Sequence, residues 1–245
     1  MKPLARKLLI GVVVLAIGAV AGPWVYINLI KQDAPEALRL EPIPQTTIES
    51  TSVSTTLDTA VTAVETTVVE ETNVVAGKWT VASNSVVGYR VKEILVGQST
   101  EGVGRTSAIK GSLTLGDAQV TEAQFSVDMT TLKSDNGTRD SQVNNRILDT
   151  ATYPTATFTL KRPIALTPEA LAGKDFTTQA TGTLTLRGVT KDIKLKLIAR
   201  LANDVIEVNG SIELIFADWS IPDPSIAAIV VEDRGQLEFL LRFTR

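Results

Sequence analysis

The chain has 245 residues, with 24 basic and 27 acidic side chains, a formal net charge of −3, and neither histidine nor cysteine. An exported domain without cysteine has no disulfide framework and no lipid-modified N-terminal Cys, so its stability must come from its core. The lack of histidine excludes His-assisted nucleophilic triads, haem ligation through His and the usual zinc sites, and no cofactor is expected.

Lys2, Arg6 and Lys7 precede an uncharged run from Leu8 to Ile30. As a helix it would measure about 34 Å, against a hydrocarbon core of about 30 Å, so residues 1–30 read as a single membrane-spanning anchor. The basic residues precede the run and the first acid, Asp33, comes after it. The positive-inside bias then leaves the N-terminus in the cytoplasm and everything after Ile30 outside the cell membrane. Ala19-Val20-Ala21 has the small-x-small pattern of a signal-peptide cleavage site, the rival reading; both readings export the C-terminal body of the chain.

Residues 31–77 are poor in aromatics and rich in Thr, Ser, Val, Glu and Pro, with eight acids against Lys31 and Arg39. No helical period is sustained, so this stretch reads as a flexible, solvated acidic linker.

From residue 78 to 245 the pattern changes to alternation with period two, the signature of half-buried strands. Val87, Tyr89 and Val91 share one face; so do Ile109, Gly111, Leu113 and Leu115, and then Ala123, Phe125, Val127 and Met129. Ile193, Leu195 and Leu197 repeat it, as do Ile206, Val208, Ile212, Leu214 and Phe216, and finally Leu237, Phe239, Leu241 and Phe243. Gly116-Asp117, Arg187-Gly188 and Ala202-Asn203-Asp204 punctuate the strands as turns. Eight or nine such strands without long helices must cover their apolar faces by closing into a barrel or folding into a sandwich. Strands of about ten to twelve residues favour a tall antiparallel barrel. The one helical stretch is expected between Asp140 and Thr150 at the barrel's side, with Asp140 as its cap and Val143 and Ile147 on one face.

Three motifs then occur in order: Thr138-Arg139-Asp140; Ile147-Leu148-Asp149-Thr150-Ala151-Thr152-Tyr153-Pro154 leading into Phe158; and Gly182-Thr183-Leu184-Thr185-Leu186-Arg187-Gly188-Val189-Thr190-Lys191. Together they resemble the YceI-like family over residues 78–245. The resemblance implies an all-β, lipocalin-like extended antiparallel barrel whose lumen takes an apolar isoprenoid-type lipid, a polyprenyl phosphate or a quinone-like molecule. Many members carry a His-Ser pair where this chain has Asn84-Ser85, and Phe216-Ala217-Asp218-Trp219-Ser220-Ile221 matches the family's Arg-x-Asp-Phe-Gly-Ile only loosely.

On this reading the lumen is lined by Tyr89, Val91, Phe125, Val127, Phe158, Leu184, Leu195, Leu214, Phe216 and Phe239. Arg139 is the candidate contact for a head group, or alternatively an ion-pair partner closing one barrel end. Arg187 belongs to a hairpin turn and is expected to point to solvent. Pro222-Asp223-Pro224 and the apolar turn after it read either as a lid or as a strand-joining element. Asp128, Glu207, Glu213 and Glu238 fall on outward positions, which offers no inward carboxylate pair for hydrolysis, so no enzymatic activity is expected. The barrel segment carries 19 basic and 19 acidic residues, hence no field for nucleic acid. Two functions remain open: a membrane-tethered carrier or sequestering protein for an isoprenoid lipid, and a cell-envelope interaction module whose barrel is filled by its own side chains.

Overall fold

The computed structural model describes residues 33–41, 75–95, 97–226 and 229–245. The anchor expected at residues 1–30 and the linker residues 42–74 lie outside the described residues. Among the described residues no helix is long and apolar enough to cross a membrane.

Among the described residues thirteen strands form one antiparallel sheet: β1 Gly77–Val81, β2 Val86–Leu95, β3 Gln98–Thr106, β4 Ile109–Leu115, β5 Gln119–Asp128, β6 Lys133–Ser134, β7 Thr155–Leu160, β8 Ile164–Ala165, β9 Phe176–Leu186, β10 Val189–Ala202, β11 Val205–Ile215, β12 Ile229–Val231 and β13 Arg234–Thr244. Eight of them close a ring in the order β1-β4-β5-β7-β9-β10-β11-β13, with β13 pairing back onto β1. This is the barrel that the alternation predicts, and its first strand starts one residue before the expected boundary.

The ring is not uniform along its axis. One edge of β13 is shared by two strands: Phe243 pairs with Val81 of β1, and Gln236 to Leu240 pair with β2. Between β1 and β2 the chain turns at Ala82, whose carbonyl accepts from Ser85 N, and the fully buried Ser85 hydroxyl bridges the Arg242 amide and carbonyl. At one end, therefore, β13 leads through β1 to β4; at the other it leads through β2 to β3 and β6.

A helix, α1 (Gly137–Gln142), and the π turn Val143–Ile147 lie at this second end. The helix starts earlier than expected, because Asn136 caps it by accepting from the Thr138 and Arg139 amides. Asp140 is not the cap; its buried carboxylate accepts from the Ser134 amide and hydroxyl, fastening the helix to β6. The π turn closes with Leu148 N donating to Val143 O. Such a bulge adds a residue to the turn and reorients the side chains after it. A second short helix, α2 (Pro168–Leu171), has Thr167 as its cap.

The tight hairpins use the turn chemistry that their residues permit. Arg187-Gly188 and Asn203-Asp204 each place two consecutive residues at positive φ, the primed turn whose twist matches the strands it joins. Arg187 does not point to solvent as expected. Its Nε donates to Ile147 O at 2.9 Å, its Nη1 donates to Ser220 O, and its guanidinium lies 5.8 Å from the centre of the Tyr153 ring. A cation at the C-terminal end of a helical segment satisfies carbonyls that have no partner within the segment, and this outweighs solvation of an Arg able to reach them.

The segment after Pro224 is a strand-joining element: β12 pairs with Glu93 to Leu95 of β2, and Arg146 holds the Asp223 and Pro224 carbonyls at 2.8 and 2.9 Å. Within the stretch read as a solvated linker, residues 33–41 instead lie extended against the barrel's outer face. Pro35 O accepts from Arg90, Glu36 O from Arg105, Leu38 O from Asn209 and Glu41 O from Arg200. The donors are side chains and the acceptors backbone carbonyls, so apolar periodicity in the segment gives no warning of the contact.

Candidate functional site

Inside the ring is a cavity of about 410 Å³ running the length of the barrel. All ten predicted lumen residues line it: Tyr89 and Val91 from β2, Phe125 and Val127 from β5, Phe158 from β7, Leu184 from β9, Leu195 from β10, Leu214 from β11, Phe239 from β13, and Phe216 from the turn after β11. A strand's period of two carries them all to one side of a closed sheet. Several, among them Tyr89, Phe125, Phe158, Phe216 and Phe239, are only half-buried although the barrel surrounds them. In a core filled by side chains at interior packing density such residues would lose nearly all their accessible surface. The surface they retain belongs to the open lumen.

The lumen is kept open by a device the alternation conceals. Several inward positions are glycine, and four of them lie under an aromatic ring of a neighbouring strand: Gly104 under Tyr89, Gly111 under Phe125, Gly182 under Phe158 and Gly210 under Phe239. A Cβ at Gly104 would sit 2.3 Å from Tyr89 Cε1, and one at Gly182 would sit 2.3 Å from Phe158 Cζ. The rings lie against bare backbone along the wall, where a side chain at the glycine would push them into the lumen. Phe125 and Phe158 stack with 6.2 Å between centroids and 9° between planes.

The two ends of the cavity differ. One is walled mainly by the apolar Val75, Leu166, Leu171, Phe176 and Leu201, with Arg200 beside Leu201. The other carries Glu93, Asn136, Thr138, Arg139 and Gln142 beside the helix and β12. Arg139, the head-group candidate, is at this polar end and is already partnered: Nη2 donates to Glu93 Oε1 at 2.7 Å and Nη1 to Asp135 Oδ1. Burial opposes the Arg139 charge, yet Glu93, Asp135 and Tyr89 beside it outweigh that and push its pKa above the ordinary guanidinium value. Burial pushes the Tyr89 phenol up as well, against the pull of Arg139 and with the help of Asp140, Glu93 and Asp135, so it stays protonated.

Glu93 is the acid that the outward placement of the other carboxylates overlooks. It is 6 % exposed and continues the inward row Val87, Tyr89, Val91 by one step of two, so the alternation itself signals an acid on that face. Asp128, Glu207, Glu213 and Glu238 do alternate outward, with Glu207 and Glu238 held in ion pairs on the barrel's outer face. The helix's contribution, Gln142, Val143, Ile147 and Leu148, also escapes the strand pattern; it makes α1 and its π turn a wall of the cavity's polar end, where a helix at the barrel's side was expected.

Among solved structures, a polyisoprenoid-binding domain from Saccharophagus degradans is similar with a TM-score of 0.55 and 21 % identity, over 69 % of this chain and 98 % of that one. Burkholderia cenocepacia BcnA is similar with a TM-score of 0.50 and 17 % identity, over 64 % of this chain and 95 % of that one. No curated protein matches the chain. Residues 79–243 match the YceI-like domain, and the chain with its open apolar barrel belongs to that family.

Proposed function

We propose that the protein is a membrane-tethered, extracytoplasmic, non-catalytic carrier that holds an isoprenoid-type lipid with an uncharged head in its barrel. The observation that carries this reading is the continuous apolar lumen with half-buried aromatic walls and a cluster of polar side chains at the helix end. Membership of the YceI-like family and the likeness to a polyisoprenoid-binding domain support the ligand class. An isoprenoid chain entering the lumen gains roughly 25 cal/mol per Å² of apolar surface buried, so several five-carbon units bind without any specific polar contact.

The polar end favours an uncharged head, quinone-like or hydroxylic, over a phosphate. Arg139 is shared by two carboxylates, and an added anion would meet Glu93, Asp135 and Asp140 against Arg139 and Lys133. Like charges at such a site repel, and displacing Glu93 would leave a buried carboxylate unpaired. The protonated Tyr89 phenol and the amides of Asn136 and Gln142 are suited to neutral polar groups. Glu93 and Asp135 are both engaged by Arg139, which supports a binding role for the site over acid–base chemistry. Tethering and export rest on the uncharged run Leu8 to Ile30 with its preceding basic residues.

Organic extraction of the purified full chain, with mass spectrometry of the extract, tests the reading. An isoprenoid with a neutral head is expected. A prenyl phosphate as the bound species would overturn the head-group assignment, and the absence of any lipid would favour the filled interaction module.

A further inference from the structure

Five large hydrophobic side chains are exposed among the described residues, and four of them cluster at one end of the barrel. Ile94 (46 % exposed) pairs across strands with Val230 (55 %). Ile226 (37 %) is bridged to Ile229, and Ile215 (41 %) pairs with Arg234 at the start of β13. This is also the end at which the cavity carries Glu93, Arg139 and Gln142. The fifth, Ile198, lies away from that rim, between Thr177 and Asn209.

The docked segment 33–41 meets the barrel in a fixed direction. Pro35 O is at Arg90, which pairs with Gln236; Leu38 O is at Asn209, which pairs with Leu240; and Glu41 O is at Arg200, which pairs with Glu207, itself opposite Arg242. Along β13 the segment thus descends from the level of residue 236 to that of 242, away from the apolar rim. Traced backwards it climbs toward that rim, and only Lys31 and Gln32 separate it from the uncharged run ending at Ile30. The four residues from Lys31 to Ala34 reach at most about 13 Å. The strand rises about 13 Å from Arg90 to Ile94.

We infer that the barrel docks rim-first on the lipid surface: residues 33–41 form a strap that shortens the tether to two residues, and Ile94, Ile215, Ile226 and Val230 enter the bilayer interface. This rests on the reading of residues 8–30 as a membrane anchor. The cavity's polar end then faces the membrane that holds its ligand, and a lipid moves between bilayer and lumen without crossing bulk water. Four aliphatic side chains bind a bilayer weakly by themselves; the strap makes their contact intramolecular, where effective concentration replaces affinity.

The absence of cysteine permits single labels without background. The full chain carrying Val230→Cys at the rim, or Lys174→Cys at the opposite end, is labelled with an environment-sensitive fluorophore. It is reconstituted into phosphatidylcholine–phosphatidylglycerol vesicles containing nitroxide-labelled lipid. Quenching at position 230 is expected to exceed that at 174 by about two-fold or more, and to fall toward the value at 174 when Leu38→Ser and Leu40→Ser loosen the strap in a chain that melts as the parent does. A chain that fails to float with vesicles overturns the anchor and the docking together. A chain that floats with equal quenching at both positions leaves the anchor standing and overturns the docking. Unchanged quenching in the strap variant overturns the strap's role.

Discussion

Gly104 shows how one residue sets the shape of the lumen. Because its missing side chain leaves room for the Tyr89 ring, Gly104→Ala would place a methyl 2.3 Å from Cε1 and 2.8 Å from the phenol oxygen. The ring must then swing into the cavity or the strands must part, a strain of about 1–3 kcal/mol. Urea unfolding should show that loss, while Gly137→Ala, with nothing within 4 Å of the new Cβ, should be neutral or stabilising by up to about 1 kcal/mol. Equal midpoints for the two variants would contradict the ring-on-glycine account. At this scale the inward apolar residues were legible because period two is enforced by the backbone itself. The glycines beneath them were not, since a glycine in a strand pattern reads equally as a bulge, a bend or a close approach. Glu93 was hidden for another reason: its position is inward by count, but its compensation by Arg139 arrives from a helix distant in sequence.

Among the elements, β10, β11 and β13 are joined on the barrel's outer face by an ionic relay in which Glu207 accepts from Arg200 at 2.7 Å and from Arg242 at 2.9 Å. Burial works against the Glu207 charge, but the hydrogen bonds from both arginines prevail and hold its carboxyl below the ordinary value of 4.5. A carboxyl depressed on folding contributes stability that is present above pH 4.5 and is lost as pH falls through its folded value. Glu207→Gln should therefore be less stable than the parent at neutral pH, and its unfolding free energy should fall less steeply below about pH 4.5. Parallel curves for parent and variant would show that the relay adds nothing. The strap crosses these same strands, and Val103, Glu238 and Leu240 beneath its path are 4 %, 2 % and 6 % exposed although they alternate away from the lumen. Strand identity was readable from alternation, and the Arg187-Gly188 and Asn203-Asp204 hairpins from turn chemistry. The helix boundary was shifted because Asn136, and not Asp140, sits where it can accept from the first free amides, and the strap was invisible because carbonyl–arginine contacts leave no sequence period.

For the molecule as a whole, the central question is whether the ring encloses ligand space or a loosely filled core. Ala123 and Val127 on β5 face the cavity and are half-buried. A bulky replacement at either position has somewhere to go only if the lumen is open. The decisive measurement is melting temperature together with extracted lipid for Ala123→Trp and Val127→Trp, each against the parent chain. An open lumen predicts nearly unchanged melting temperatures once bound lipid is accounted for, with the lipid lost from both variants. Destabilisation of both by about 1–3 kcal/mol or more through overpacking, with no lipid in the parent, would contradict the carrier.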